Sequence, residues 1–382
     1  MQQTSAGPES ALLVSIDLGD TDYAESLAEL RLLAETAGVR VLATVEAKRQ
    51  RPDAALFAGS GKVQEIAAMV EQMEVPLVIF NHELSPAQMR NLTTNLGTRV
   101  IDRTMLILDI FAQRAQSHEG KVQVELAQLK YLSTRLVGQN ADMGQQKFAV
   151  GARGPGETQL ELDRRKLDKR VHLLKERLEK LKGQRDLLRR SRNRFDVLSV
   201  SIVGYTNAGK STLFNRLTKA NVYVANQLFA TLDTTSRKMY AEGQGEIVVS
   251  DTVGFIRHLP HGLVAAFRST LEETIQADVL LHVVDLSNPN HDDQIAEVNK
   301  VLAEIDAGDI PQILVFNKID QVEGAEAGII RDERDRISRV FLSAQSGAGL
   351  EDLRQTLLEI RAARQAATII EKQLKQARES WE

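Results

Sequence analysis

The octapeptide Gly204-Tyr205-Thr206-Asn207-Ala208-Gly209-Lys210-Ser211 constrains what this chain can fold into more than any other stretch. An apolar run over 197–203 precedes it and reads as a buried strand, and residues 212–217 after it read as a helix. A glycine-rich turn between a strand and a helix N-terminus is the context in which G-x-x-x-x-G-K-S means a phosphate-binding loop. The glycines let backbone approach phosphate, while successive N–H groups and the helix dipole supply positive potential. In that geometry Lys210 reaches the β- and γ-phosphates and the Ser211 hydroxyl binds Mg²⁺.

At 382 residues the chain exceeds one ordinary domain. Its 26% charged and 43% hydrophobic residues are those of a globular protein. The patterns below divide it into an α/β domain (1–110), a helical hairpin (111–195), a nucleotide-binding domain (196–362) and a helical tail (363–382). No apolar run approaches ~20 residues, and no basic-then-apolar leader opens the chain. A cytoplasmic monomer is therefore expected, at most peripheral at a membrane and without stable insertion. Cysteine is absent, which excludes disulfides, zinc–thiolate sites and thiol nucleophiles.

Residues 1–10 are polar and are expected to fray. Beyond them strands are expected at 11–16, 39–45, 77–80 and 99–101. Helices are expected at 23–37, 63–73 and 86–96, with Gly38 and Gly97 closing the first and last. This alternation implies a small parallel sheet covered on its faces. Gly59-Ser60-Gly61-Lys62 imitates a phosphate loop but lacks a hydroxyl after the lysine and the longer glycine spacing. A loop and helix start is its simpler reading, an anion contact the other. Asn81-His82-Glu83 reads as a turn rather than a metal site, since no other histidine lies near it in sequence.

From Met105 the pattern turns helical. Val122, Leu126, Leu129 and Leu136 recur at heptad-like spacing, and Leu167, Val171, Leu174, Leu178 and Leu181 alternate by four and three. These are coiled-coil seams. Two such helices joined by a loop form an antiparallel hairpin, because neither buries its seam alone. From Leu160 to Arg194 stand 14 Lys and Arg against 6 Asp and Glu, a local balance of +8 in a chain that totals −4. A merely solvated coiled-coil face would carry balanced signs. An RNA-phosphate contact surface is the favoured reading, without base stacking for want of aromatics. The stretch 138–159, rich in Gly, Gln and Asn, is either a flexible tip or a place where Arg153 and the glycines approach a phosphate backbone.

Three further nucleotide signals follow the first in order. Asp251-Thr252-Val253-Gly254 comes directly after the strand-like 247–250. An aspartate there holds Mg²⁺, often through water, while the Gly254 N–H contacts a γ-phosphate. Asn317-Lys318-Ile319-Asp320 follows the strand-like 313–316. The Asp320 carboxylate accepts from guanine N1–H and N2–H₂, which adenine does not offer, and an acceptor left unpaired there costs several kcal/mol. The Lys318 stem covers the ring face. Ser343-Ala344-Gln345 follows 340–342 and offers a backbone N–H to guanine O6.

Between the first two signals, residues 221–237 are expected to form a mobile loop over the phosphates. Thr231, in Phe229-Ala230-Thr231-Leu232-Asp233, is the first candidate for a hydroxyl that reaches Mg²⁺ only while a γ-phosphate is present. Thr234 and Thr235 stand behind it. A ligand lost with one phosphate is an order–disorder switch; a loop that is merely polar is the plain alternative. Lys210, Thr231 and Gly254 are thus the expected catalytic groups. Ser211, Thr231 and Asp251 are the expected Mg²⁺ set, with GTP and GDP as ligands.

The ordered set Gly204–Ser211, Thr231, Asp251–Gly254, Asn317–Asp320 and Ser343–Ala344 is similar to the G1 to G5 motifs of translation-factor-class GTPases. Gly154-Pro-Gly-Glu-Thr-Gln-Leu-Glu161, Phe229-Ala-Thr-Leu-Asp233 and Asp251-Thr-Val-Gly-Phe-Ile-Arg-His-Leu-Pro260 narrow it. Together they resemble the HflX family of ribosome-associated GTPases, over roughly residues 11–362. The resemblance implies an α/β fold: a small parallel α/β domain, an antiparallel helical hairpin, then a Ras-like P-loop G domain. It implies that the GTP form binds the large ribosomal subunit and its rRNA, with the N-terminal part towards the peptidyl-transferase region. It also implies splitting of stalled ribosomes under stress, and hydrolysis stimulated by the ribosome. Thr234 departs from the family, which often has proline there, so the loop is less rigid. The tip 138–144 is poorer in aromatic and basic residues than the family's.

Ras-like enzymes orient the attacking water with a glutamine just after Asp-x-x-Gly. Phe255 stands there in this chain and can neither donate nor accept. Slow intrinsic turnover is expected, with the water positioned by backbone, another residue or the partner. In related GTPases lacking that glutamine, a phosphate-loop asparagine ligates K⁺; Asn207 makes K⁺ a candidate second cofactor. His258 and His261 have no evident third metal ligand and read as structural or interface residues. Glu272 and Glu273 read as solvent-side residues of a switch helix. Two other classes stay open: a large-subunit assembly GTPase that does not split ribosomes, and a signalling or scaffold GTPase acting on a protein.

Overall fold

The computed structural model describes residues 9–137, 155–193, 197–220, 227–241, 245–257, 260, 263 and 271–379. The chain divides into two units, 1–180 with 260–266 and 181–259 with 267–382. In the first, the order is β1 (Ser10–Asp17), α1 (Tyr23–Thr36), β2 (Arg40–Lys48), α2 (Ser60–Gln72), β3 (Leu77–Phe80), α3 (Pro86–Leu96), β4 (Arg99–Asp102) and α4 (Arg103–Arg114). The strands pair β2-β1-β3-β4, all parallel. Leu12, Val14 and Ile16 of β1 pack with Val63, Ile66 and Leu92 from α2 and α3. Helices α1 and α4 lie against the other face, which is why the expected strands read as apolar on both sides.

Local chemistry sets the boundaries. Ser85 accepts from Gln88 N while Gln88 accepts from Ser85 N, Pro86 takes the first helical position, and Gly97 ends α3 at φ 64°. Gly59-Ser60-Gly61-Lys62 is the start of α2. Arg49 Nη1 covers it by donating to Ala58 O at 2.9 Å, and Lys62 pairs with Glu65 at 2.7 Å, engaged by its own helix. The Asn81 bend, expected as a simple turn, is buried. Its amide donates to Ser15 Oγ at 3.2 Å and Ser26 Oγ at 3.0 Å, and its Oδ1 accepts from Arg103 Nη1 at 2.9 Å. Arg103 in turn pairs with Glu29, so the two buried charges compensate one another.

Helices α5 (His118–Val137) and α6 (Pro155–Asn193) follow. Val122, Leu126 and Leu174 are buried together, with Leu129, Val171 and Leu178 packed around them, and Arg170 pairs with Glu125 at 2.6 Å. Burying Leu174 alone contributes about 1.5–3 kcal/mol. Because α6 starts at Pro155, residues 155–159 of the expected tip are helical. The rest, 138–154 with Arg153, lies outside the described residues. Arg164, Arg165, Lys166, Lys169, Arg170, Lys175, Arg177 and Lys180 are all exposed.

The second unit runs β5 (Leu198–Gly204), α7 (Lys210–Thr218), β6 (Thr235–Ala241), β7 (Gly245–Asp251), α8 (Glu272–Ile275), β8 (Val279–Asp285), α9 (His291–Glu304), β9 (Gln312–Asn317), β10 (Gly328–Arg331), β11 (Ile337–Phe341) and α10 (Leu350–Glu379). The strand order is β10-β11-β9-β8-β5-β7-β6, with β10 and β6 antiparallel to their neighbours and the rest parallel. Val200, Ile202, Leu281, Val283 and Val315 pack with Leu213 and Phe214 of α7 and Leu353 and Leu357 of α10. Helix α9 contacts β5 and β8 and buries Val298 and Leu302.

Three expectations need correction. The loop expected over 221–237 ends earlier, because Thr235 is in β6 and pairs with Asp251; residues 221–226 lie outside the described residues. Glu272, expected on the solvent side, is buried, its helix being tucked against β5. Helix α10 runs unbroken through 362, where a separate tail was expected to begin. Among the described residues no helix is long and apolar enough to cross a membrane.

Candidate functional site

Strand β5 is flanked by β7 and β8, and the chain leaves the sheet at the carboxyl ends of β5, β7, β9 and β11 on one edge, the usual place for a ligand crevice in such a sheet. A cleft of about 470 Å³ opens there. Thr206, Asn207, Gly209, Lys210, Ser211, Phe229, Ala230, Thr231, Thr252, Gly254, Asn317, Lys318, Asp320, Ala344 and Gln345 line it, so all four sequence signals and the threonine loop converge. Thr212, Gln227 and Gln321 also line it and were not anticipated. Gly204, Tyr205, Ala208, Leu232, Asp233, Asp251, Val253, Ile319 and Ser343 do not. Thr234 is likewise absent from the wall, leaving Thr231 as the hydroxyl brought to it.

At one end, Gly209 has φ 94° and abuts the Asn317 amide so closely that a Cβ would collide with it. Lys210 is buried, and its Nζ donates to Tyr205 O at 2.7 Å. Burial lowers its pKa to about 8, opposed by the Asp251 charge. His282 of β8 is also buried, which pushes its pKa to about 4 and leaves it neutral near that lysine. Asp251 Oδ2 accepts from Ser211 Oγ at 2.7 Å and Thr231 Oγ1 at 3.0 Å, and the two hydroxyls lie 2.8 Å apart. Burial raises the Asp251 pKa, against the Ser211 hydroxyl and the Lys210 ammonium.

Asp251 Oδ1 is buried with no hydrogen-bond partner. Two hydroxyls and a carboxylate with one orphaned oxygen make a hard oxygen set of the kind Mg²⁺ takes alongside phosphate oxygens and water. The residues fit such an ion. No cluster of three His, Asp or Glu capable of holding a metal occurs among the described residues, so the set would depend on the nucleotide to complete it.

At the other end, Asn317 acts as a strut. Its Nδ2 donates to Ala208 O at 2.8 Å and its Oδ1 accepts from Ala344 N at 2.9 Å. A backbone N–H of this segment was expected at guanine O6; that of Ala344 is engaged within the protein, as is that of Ser343, which donates to Ala348 O at 2.9 Å. The next N–H along the loop belongs to Gln345. Lys318 Nζ donates to Asp285 Oδ2 at 2.6 Å, and Asp285 Oδ1 accepts from Ser287 N at 3.0 Å and Oγ at 2.6 Å. Arg216 donates to Ala344 O at 3.1 Å and Gln345 O at 2.7 Å. Sequence reasoning missed both clamps. Asp285 ends an apolar run, a signal that could have found it; Arg216 has none.

Phe255 is buried outside the cleft. Its N donates to Gly204 O at 3.1 Å and its O accepts from Thr206 N at 2.7 Å. No side chain from that position enters the site. His258 and His261 lie outside the described residues.

Known proteins bear on this cleft. Residues 24–112 match the family described as GTP-binding GTPase N-terminal, 114–192 the GTP-binding GTPase middle region, and 199–318 the 50S ribosome-binding GTPase. The GTPase HflX of Escherichia coli K12 is 54% identical over 351 residues, 92% of this chain and 82% of that one. Its counterpart in Caldanaerobacter subterraneus is 46% identical over 357 residues, 94% of this chain and 82% of that one. A solved complex of SsGBP with GDP is 26% identical, superposes with a TM-score of 0.51, and covers 93% of this chain and 99% of that one.

Proposed function

This chain belongs to the HflX family of GTP-hydrolysing enzymes, and from that premise we propose that it acts on the ribosome, binding the large subunit in its GTP form and splitting stalled ribosomes under stress. The observation that carries this reading is Thr231, whose hydroxyl stands 2.8 Å from Ser211 Oγ and 3.0 Å from Asp251 Oδ2. One ligand set thereby joins the phosphate loop, the loop before β6 and the end of β7. Ser211, Thr231 and, through water, Asp251 would hold Mg²⁺, which in bound form neutralises phosphate charge. Lys210 would meet the β- and γ-phosphates, and the Gly254 N–H the γ-phosphate. Asp320 would read guanine, with the Lys318 stem over the ring. Losing the γ-phosphate would free the Thr231 segment, and the cleft would report that loss to whatever rests on it.

The exposed basic face of α6 supplies the chemistry for rRNA phosphates, and the family description 50S ribosome-binding GTPase names the same partner. With Phe255 turned away from the cleft, intrinsic hydrolysis is slow and the ribosome stimulates it. The protein works as a cytoplasmic monomer. Asn207, which lines the cleft at φ 61°, would add K⁺ beside the phosphates; equal rates in K⁺ and Na⁺ buffers, with and without ribosomes, would remove that ion.

Co-sedimentation with large subunits tests the central reading. A non-hydrolysable GTP analogue should hold the protein on the particle and GDP should not, with binding falling steeply as salt rises. Equal attachment in both nucleotides would refute it. Light scattering of intact ribosomes then separates splitting, which lowers the signal, from an assembly role, which leaves it unchanged.

A further inference from the structure

Tyr205 is a large side chain in a loop where backbone does most of the binding. It is buried and does not line the cleft, so it touches no ligand there. Its carbonyl accepts from Lys210 Nζ at 2.7 Å and its hydroxyl accepts from Arg257 N at 2.8 Å. On either side, Thr206 N donates to Phe255 O at 2.7 Å and Phe255 N donates to Gly204 O at 3.1 Å. Residues 205 and 255 form a parallel bridge. The segment just after Gly254 is thus fastened to the phosphate loop by two backbone bonds and one side-chain bond. Gly254 is held so near that a Cβ on it would lie 2.8 Å from Lys210 Nζ.

We propose that Tyr205 is a positioning residue whose hydroxyl keeps Gly254 docked against Lys210, so that a γ-phosphate is met by a backbone N–H already in place. With phenylalanine at 255, that docked backbone does part of what a glutamine side chain does in Ras-like enzymes. A diphosphate does not reach Gly254 and does not depend on the tether. The inference rests on reading the cleft as a γ-phosphate switch.

Tyr205→Phe keeps the ring and removes the hydroxyl. Affinity for a non-hydrolysable GTP analogue should fall about two- to tenfold, the range one hydrogen bond supplies, with kcat falling alongside. GDP affinity should stay at the wild-type value, while the thermal midpoint falls by only a few degrees, the cost of leaving the Arg257 N–H without its acceptor. Arg257→Pro, which deletes the donor N–H, should reproduce the loss of selectivity; Arg257→Ala, which keeps it, should not. Equal losses for GDP and analogue would mean a merely structural role and overturn the proposal, as would no change in either. If Arg257→Ala reproduced the effect, the guanidinium rather than the N–H would be responsible, and the tether would be wrong. A wild-type protein that bound both nucleotides equally would sink the switch and this inference together. A discriminating wild type with an equally discriminating Tyr205→Phe variant would sink the tether alone.

Discussion

Asp102 and Asp251 are both fully buried and both end a parallel strand, yet they are wired differently. Asp102 Oδ1 accepts from Tyr131 OH at 2.7 Å and Met105 N at 2.9 Å, and its Oδ2 from Arg135 Nη2 at 2.8 Å and Leu84 N at 3.2 Å. Asp251 Oδ2 takes two hydroxyls and its Oδ1 takes none. The saturated carboxylate fastens α5 to the sheet of the first unit. The unsaturated one carries an open buried oxygen at a cost in stability, which suits the Mg²⁺ role proposed for it. Counting the donors around a buried acid therefore separates a strut from a binding group better than its burial does.

The contrast is broken most directly by substitution. Asp102→Ala should lower the unfolding free energy by about 3–5 kcal/mol, since it leaves four donors, Leu84 N, Met105 N, Tyr131 OH and the half-buried Arg135, without their acceptor. Asp251→Asn should leave that quantity unchanged or raised, while Mg²⁺-dependent nucleotide affinity falls about a hundredfold. Denaturant titration of both variants, with nucleotide binding measured beside it, decides; similar stability losses would erase the distinction.

Lys210 gives the next effect. Its native pKa of about 8 lies below the roughly 10.4 of an unfolded lysine. Between those values the unfolded chain holds a proton that the native state lacks, so the unfolding free energy of the nucleotide-free protein should rise with pH. The slope is at most about 1.4 kcal/mol per pH unit, and below pH 8 the penalty is present in full. Lys210→Met should lose that slope relative to wild type in denaturant titrations between pH 8 and about 10; parallel curves would show that burial does not weaken the ammonium.

Asp320→Asn should move base preference from guanine towards xanthine nucleotides by at least about tenfold, read from competition binding, because the amide donates where the carboxylate accepts. A variant with unchanged preference would remove Asp320 from the base site. Smallest is Asp285→Asn, which should weaken GTP and GDP alike by about two- to fivefold through Lys318. In a Lys318→Met background the same substitution should do nothing; an additive loss in the double variant would make Asp285 a folding residue only.

Much of this is legible in the sequence alone. Ser85, Pro86 and Gly97 mark the ends of α3 by chemistry that acts within a few residues, and β1 and β5 announce themselves as short apolar runs. The four nucleotide signals were readable because each sits at a strand end, where a parallel sheet gathers its loops. The burial of Glu272 was not readable, since its acidic neighbour Glu273 made the stretch look like a solvated helix. Nor was the use of Asn317 as a strut, because its partners Ala208 and Ala344 become neighbours only across β5, β9 and β11.

The sequence by itself determined the order of elements in the first unit, the phosphate loop, the place of the Asn317–Asp320 motif and the heptad seam, because periodicity, turn chemistry and motif spacing are local properties of a chain. Only the tertiary structure decided which buried acid is satisfied and which is left open, that Asp285 holds Lys318, and that Tyr205 fastens the segment after Gly254. The last two pairings join residues 33 and 52 positions apart, and hydrogen bonding over such separations depends on strand order and register, which no local pattern encodes.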